Sequence, residues 1–207
     1  MGPINEMVYV VDDDASVGEA LSSLFRANGK RAEIFTSGQE FLDFPREDSA
    51  ACLILDLRMP GLNGLEVQRS ISNDWTIPVI FITGRGDIPS TVTAMKEGAI
   101  DFLTKPVDEV ALLRAVERAL ELDRNHRKKA SERATLLARY QSLTPREQQV
   151  LPLLVKGLLN KQAAGELGIT EYTVQIHRGH IMRKMEADSF ATLVKLASRL
   201  NLEQTIA

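Results

Sequence analysis

Asp12 and Asp13 directly follow the apolar run Met7–Val11, and Asp56 closes a second run that begins at Cys52. Thr83 closes a third run from Val79, and Lys105 follows a fourth, Phe102–Thr104. Carboxylates gathered at one place repel one another unless a cation neutralises them. Hard oxygen donors in an open site suit Mg²⁺, which keeps several waters and readily binds a phosphate oxygen. Lys105 adds one positive charge and Thr83 one hydroxyl donor. Together these are the parts needed for phosphoryl transfer onto a carboxylate: a nucleophile, a metal, a counter-charge and a donor. Taken singly, each has a plainer explanation. An acidic residue after a strand commonly caps the next helix, which is the better account of Asp14 in Asp14-Ala15-Ser16. A strand-end Thr or Lys is commonly just solvated. The weight lies in five groups falling on the ends of four runs.

Those runs must be strands of one sheet if the groups are to meet. Met7–Val11, Arg31–Phe35, Cys52–Asp56, Val79–Thr83 and Phe102–Thr104 read as strands. Helices are predicted between them: Ala15–Asn28 with Gly29 as its C-terminal stop, about Gln39–Asp43, Leu65–Ile71, and Thr91–Glu97 stopped by Gly98. A further helix begins near Asp108. This alternation predicts a doubly wound, five-stranded parallel α/β sheet covered on both faces. In such sheets functional groups collect beyond the carboxyl ends of the strands.

The segment from Val107 to Thr144 contains no Gly and no Pro, and its middle, Glu121–Arg139, is dense in charge. Helix is favoured there over a disordered linker; Leu136, Leu137 and Tyr140 could pack on either domain or on a second copy. From Leu143 onward the pattern is of short helices. Thr144-Pro145-Arg146-Glu147 predicts a capping box with Pro in the first turn, opening a helix to Gly157. Further helices follow at about Lys161–Leu167, Glu171–Met185 behind Thr170, and Phe190–Leu200. Helix, tight turn and helix is the geometry that lays a second helix in the major groove. Ala163, Ala164, Leu167, Ile169, Val174 and Ile181 would form the packed side, with Gln175, Arg178 and Gly179 outward. A small bundle for protein contacts is the competing account of the same periodicity.

Charge divides along the chain. Residues 1–120 carry 11 Lys and Arg against 19 Asp and Glu, whereas residues 121–207 carry 14 against 9. The net charge of −3 therefore joins an acidic half to a basic one, which suggests two domains and makes the second a candidate for nucleic acid. No apolar run approaches the roughly 20 residues of a membrane span. Met1–Glu6 has no secretory pattern, so a cytoplasmic protein with no membrane partner is expected. One cysteine, Cys52, excludes an internal disulfide and reads as a small buried hydrophobe.

The segments VVDDD, LDLRMPGLNG, ITGRGD and DFLTKP, spanning residues 6–122, resemble receiver domains of two-component systems. The resemblance implies a flavodoxin-like fold in which Asp56 accepts a phosphoryl group from a sensor histidine kinase. It implies Mg²⁺ ligation by Asp13, Asp56 and the Arg58 backbone carbonyl, with Asp12 acting mainly through water. Lys105, before a cis bond to Pro106, would pair with the phosphoryl group. Thr83 would hydrogen-bond it, Phe102 would turn into the space Thr83 leaves, and Gly84 would leave room. Core packing is the plainer role for Phe102. The moving surface would lie at about Ile88–Thr104, where such receivers often dimerise.

Residues 142–201, with LTPREQQVL, GLLNKQAAGELGIT and TVQIHRGHIMRKM, resemble the LuxR-type helix-turn-helix. The order of domains is similar to that of the FixJ/NarL group. By that resemblance Gln175, Ile176 and Gly179 face bases, while Lys161, Thr173, Arg178 and Lys184 contact phosphates. The final helix, Phe190–Leu200, corresponds to the segment through which such domains pair, with packing on its own domain the competing account of most of its apolar residues. The domains expected are a receiver over 1–122, a helical linker over 123–141 and a DNA-binding domain over 142–207. The function expected is phosphorylation-dependent transcription regulation, by default activation. The chain would not be an enzyme beyond catalysing its own phosphoryl transfer and dephosphorylation. Double-stranded DNA and a second copy of the chain are expected partners, with RNA polymerase a further candidate. The alternatives are a tail that acts through protein contacts, DNA binding independent of phosphorylation, and a phosphatase or phosphotransferase.

Overall fold

The structure, a computed structural model, describes residues 6–74, 77–84 and 88–200, with the backbone alone for 72–74 and 88–90. It divides into two compact units, Met1–Arg127 and Lys128–Ala207.

In the first unit the elements are β1 (Glu6–Val11), α1 (Ala15–Ala27), β2 (Arg31–Phe35), α2 (Gly38–Asp43), β3 (Ala50–Asp56) and α3 (Gly64–Asp74). They continue with β4 (Val79–Thr83), α4 (Ile88–Lys96), β5 (Asp101–Thr104) and α5 (Glu109–Gln141). The strands form one parallel sheet in the order β2-β1-β3-β4-β5. Side chains alternate across a strand, so the continuous apolar runs bury both faces. Met7, Tyr9, Val11, Leu53, Leu55 and Phe81 pack on one face with Phe41 of α2 and Val67 of α3. Val8, Val10, Ile54, Ile80 and Ile82 pack on the other with Phe25 of α1 and Leu112, Val116 and Leu120 of α5.

Element ends follow local chemistry. Asp14 caps α1, its Oδ1 accepting from Ser16 N at 2.9 Å. Asn63 and Glu66 form a reciprocal box at the start of α3, at 3.0 and 2.9 Å. β3 begins two residues before the expected Cys52, because Glu6 and Met7 of β1 pair with Ala50 and Ala51. A buried carboxylate secures that start: Asp123 of α5 accepts from Ala51 N at 2.9 Å and from Arg127 Nε at 2.7 Å. α4 begins at Ile88, ahead of the expected Thr91, since a proline in the first helical turn forfeits no helix hydrogen bond.

The segment without Gly or Pro is one helix, and it supplies residues to both units. In the second unit Leu136 of α5 is buried among the residues of α6 (Pro145–Val155), α7 (Asn160–Leu167), α8 (Glu171–Lys184) and α9 (Phe190–Arg199). Tyr140 packs partly against the same core and Leu137 is exposed. The predicted capping box is present, with Thr144 and Glu147 bonding each other's backbone. Gly168 ends α7 with φ +62°, a left-handed conformation that makes the turn into α8 tight at little cost for a residue without Cβ. No helix among the described residues is long and apolar enough to cross a membrane.

Asp123→Ala should lower the stability of the first unit by about 2 kcal/mol, the order expected when a buried N–H and a charged partner lose their acceptor. Urea denaturation read on that unit's transition measures it.

Candidate functional site

The sheet brings the expected groups to one edge. Asp12 N donates to Phe35 O at 3.1 Å, so Asp12 continues the β1 ladder past Val11. Val11 is in register with Leu55, which sets Asp12 beside Asp56 one residue further on. Leu57 N bonds Ile82 O at 3.2 Å, and Lys105 N bonds Thr83 O at 2.7 Å. Ligand atoms of Asp12, Asp13 and Asp56 all lie within 4.8 Å of one another. Lys105 Nζ lies 2.6 Å from Asp56 Oδ2 and 2.7 Å from Asp12 Oδ2.

Burial gives these carboxylates different characters. Asp12 is 1% exposed, and its Oδ1 also accepts from Asp14 N at 3.0 Å. Burial raises its pKa, against the opposing hydrogen bond from Lys105. For Lys105, burial works against the ammonium, but the bonds to Asp12 and Asp56 outweigh it and the pKa is raised. Asp56 Oδ1 accepts from Arg58 N at 3.1 Å, while Asp13 is exposed. Three carboxylates against one ammonium leave an excess of negative charge on hard oxygen donors. That donor set fits a divalent cation of the Mg²⁺ type.

The surroundings are tight on the chain side and open on the other. Gly64 opens α3, with its N–H on Leu57 O at 3.1 Å, and lies against the end of β3. A Cβ there would stand 2.4 Å from the Asp56 backbone oxygen and 2.9 Å from the Phe81 ring, so only glycine fits. Thr83 is buried, Phe102 is partly buried against the core, and a Cβ on Gly84 would meet nothing within 4 Å. The Lys105–Pro106 peptide is cis. The last three residues of ITGRGD, 85–87, lie outside the described residues.

In the second unit Thr170 caps α8 by accepting from Thr173 N at 3.1 Å. Ala163, Ala164, Val174 and Ile181 are buried, and Leu167 and Ile169 pack partly against the same core. Gln175, Ile176 and Gly179 are exposed on α8, and Lys161 is exposed on α7. Tyr172, in the first turn of α8, is 75% exposed.

Residues 8–117 match the family model for the response regulator receiver domain, and residues 141–197 that for bacterial regulatory proteins of the luxR family. The chain is a response regulator. Over 195 residues it is 48% identical to the response regulator protein TodT of Pseudomonas putida, covering 94% of this chain and 86% of the relative. It is 47% identical to nodulation protein W of Bradyrhizobium diazoefficiens, over 95% of this chain and 87% of that one. Among solved structures, that of response regulator StyR has a TM-score of 0.87 at 48% identity, covering 94% of this chain and 98% of that chain. Full-length FixJ from B. japonicum gives 0.58 at 38% identity, over 96% and 98%. These likenesses establish a two-component transcription regulator with a receiver and a LuxR-type DNA-binding domain.

Within this response regulator, not every residue expected at DNA is free to reach it. Lys184 Nζ bonds Glu147 Oε2 at 2.7 Å and Ser142 O at 3.2 Å. The Arg178 guanidinium lies over the Phe190 ring, 4.5 Å from its centroid. The Thr173 hydroxyl is 2.8 Å from that of Thr170. Glu147 is buried; burial works against its charge, yet bonds from Lys184 and Thr144 outweigh it and hold its carboxyl below the usual range. The capping-box pattern identified Glu147 as a helix cap, but nothing in the sequence indicated its pairing with Lys184, 37 residues away. The exposed Tyr172 was equally unmarked.

Gly64→Ala should force the β3–α3 loop off the Asp56 carbonyl. Phosphorylation by acetyl phosphate, followed on phosphate-affinity gels, is expected to slow by about tenfold or more, since small displacements of reacting groups cost that much.

Proposed function

We propose that Asp56 takes a phosphoryl group from a phosphohistidine on a sensor kinase, and that this modification controls sequence-specific DNA binding through α8. The observation that carries it is the position of Asp56 Oδ2, 2.6 Å from Lys105 Nζ, with Asp12 and Asp13 alongside. In the step, an Asp56 carboxylate oxygen bonds to phosphorus, the P–N bond breaks with its electron pair going to the ring nitrogen, and the histidine leaves as a neutral imidazole, its proton supplied by water. Asp13, Asp56 and the Arg58 carbonyl would hold Mg²⁺, with Asp12 acting through water. The cation supplies positive charge against the carboxylates and the phosphoryl oxygens. Lys105 then pairs with a phosphoryl oxygen, and the same site catalyses its own dephosphorylation by water. A cleft of about 340 Å³, lined by Val17, Leu21, Leu24 and Leu112 with Lys105 and Glu109 at its polar side, supports docking of a partner that carries the phosphohistidine.

A phosphoryl group carries nearly two negative charges, in place of the one on the Asp56 carboxylate, and three acceptor oxygens. Thr83 and Lys105 are drawn toward it, Phe102 fills the space that Thr83 leaves, and an existing two-state equilibrium shifts. The outcome is a receiver dimer formed through the α4–β5 region, with DNA binding on a two-fold operator and transcription activated, RNA polymerase being a candidate contact. We divide the chain for this purpose into a receiver over 1–122, a connecting helix over 123–141 and a DNA reader over 142–207. On DNA, Gln175, Ile176 and Gly179 face bases, while Lys161, Thr173, Arg178 and Lys184 lie toward phosphates. For Arg178 and Lys184 this requires release from Phe190 and Glu147.

Acetyl phosphate with Mg²⁺ should raise the affinity of wild type for its selected operator by about 5- to 150-fold, the usual range for coupled sites. Asp56→Asn should abolish the rise. Equal binding by Asp56→Asn and phosphorylated wild type would leave the DNA reader intact and remove the switch.

A further inference from the structure

Gln175 lies on the outward face of α8, and its Oε1 accepts a hydrogen bond from Asn160 Nδ2 at 2.6 Å. Asn160 is the first residue of α7, so the bond ties the start of one helix to the outer side of the next. The other end of the Asn160 amide, Oδ1, is buried without a hydrogen-bond partner among the described residues. Which way a side-chain amide points is decided by the network around it. Turning Asn160 over would bury two unpaired N–H donors in place of one acceptor, and orphaned donors are the rarer and costlier case. Asn160 therefore gives its donor to Gln175, Gln175 answers with its oxygen, and the Gln175 NH₂ group is left without a partner among the described residues.

We propose that Asn160 is a positioning residue that holds the Gln175 amide with its donors outward, and so makes α8 select guanine at the base it meets. This rests on the proposed reading of DNA by α8. A free glutamine offers an acceptor and a donor side by side, the complement of adenine N6–H and N7. With Oε1 turned to Asn160 and one of its lone pairs taken, the groups Gln175 has left to aim at a base are its two N–H donors. Guanine is the base whose major-groove edge presents two acceptors, N7 and O6. The other two residues assigned to bases do not compete for this role. Gly179 has no side chain, and a Cβ there would meet nothing within 4 Å. Ile176, 40% exposed, is apolar and suited to a thymine methyl.

The test is selection from a randomised duplex library by the full chain, treated with acetyl phosphate and Mg²⁺. Wild type, Gln175→Ala, Asn160→Asp and Asn160→Ala are compared. The base pair read by Gln175 is the one whose preference flattens in Gln175→Ala. There wild type should favour G·C over A·T by about fivefold or more, the lower end of paired base contacts. In Asn160→Asp the new carboxylate accepts from Gln175 Nε2, turns Oε1 outward beside the remaining N–H, and moves the preference to A·T. That variant is nearly isosteric and puts its negative charge in the first turn of α7, where the helix dipole favours it. In Asn160→Ala the amide is released, and the ratio of G·C to A·T should fall toward one. Loss of affinity common to all sequences, as an added negative charge produces, does not move these ratios.

An A·T preference in wild type, or an unchanged G·C preference in both Asn160 variants, would overturn the inference while leaving α8 as the DNA reader. If Gln175→Ala altered no position, or no sequence were enriched at all, the base-reading role of α8 would fall and the inference with it.

Discussion

Asp12, Asp13 and Asp56 are held within 4.8 Å of one another against their mutual repulsion, with one ammonium, that of Lys105, between two of them. A pair of like charges 4 Å apart near a protein surface repels by on the order of 4 kcal/mol. The sheet can sustain this because the register of β1 with β3 and of β4 with β5 is fixed by side chains buried on both faces. A slip of one residue would send every one of those side chains to the opposite face. The repulsion is thus stored at the strand ends and offset by the core behind them. A divalent cation would relieve it, and a phosphoryl group on Asp56, as proposed, would deepen the negative charge and change its shape, so that the edge could act as a switch.

The second unit solves a similar problem differently. Glu147 is buried at the start of α6, and its charge is balanced by Lys184 at the end of α8 and by the Thr144 backbone. His180 Nδ1 stands 3.4 Å from its other oxygen. This ties the C-terminal end of α8 to the body of the domain. At the other end, the Thr170 cap and the left-handed Gly168 set the angle at which α8 leaves α7. The exposed positions between these anchors carry few cations of their own, so the proposed phosphate contacts would fall to Lys161 on α7 and to Lys184 and Arg178 once released from Glu147 and Phe190.

The sheet and the acidic edge were legible in the sequence because apolar runs mark the strands, and the residue after each run marks the edge. The helices of the second unit were legible from caps, as with Thr144 and Thr170, and the long helix from its lack of breakers. Contacts between distant segments were not. Asp123 on the Ala51 N–H, Lys184 on Glu147 and Asn160 on Gln175 join residues 72, 37 and 15 positions apart. No local pattern encodes them, because each depends on how packed elements happen to face one another. For the same reason Arg178 was expected to point outward, whereas its guanidinium is over Phe190.

The unbalanced carboxylate edge is tested most directly by the stability of the receiver as a function of Mg²⁺. Binding to the folded state alone adds about 1.4 kcal/mol for each tenfold rise in Mg²⁺ above the dissociation constant. The urea midpoint of the first unit should therefore climb with Mg²⁺ in wild type and stay nearly flat in Asp13→Asn, whose starting stability without Mg²⁺ should be higher because one repelling charge is gone. A midpoint indifferent to Mg²⁺ in wild type, or one that climbs equally in Asp13→Asn, would contradict the account.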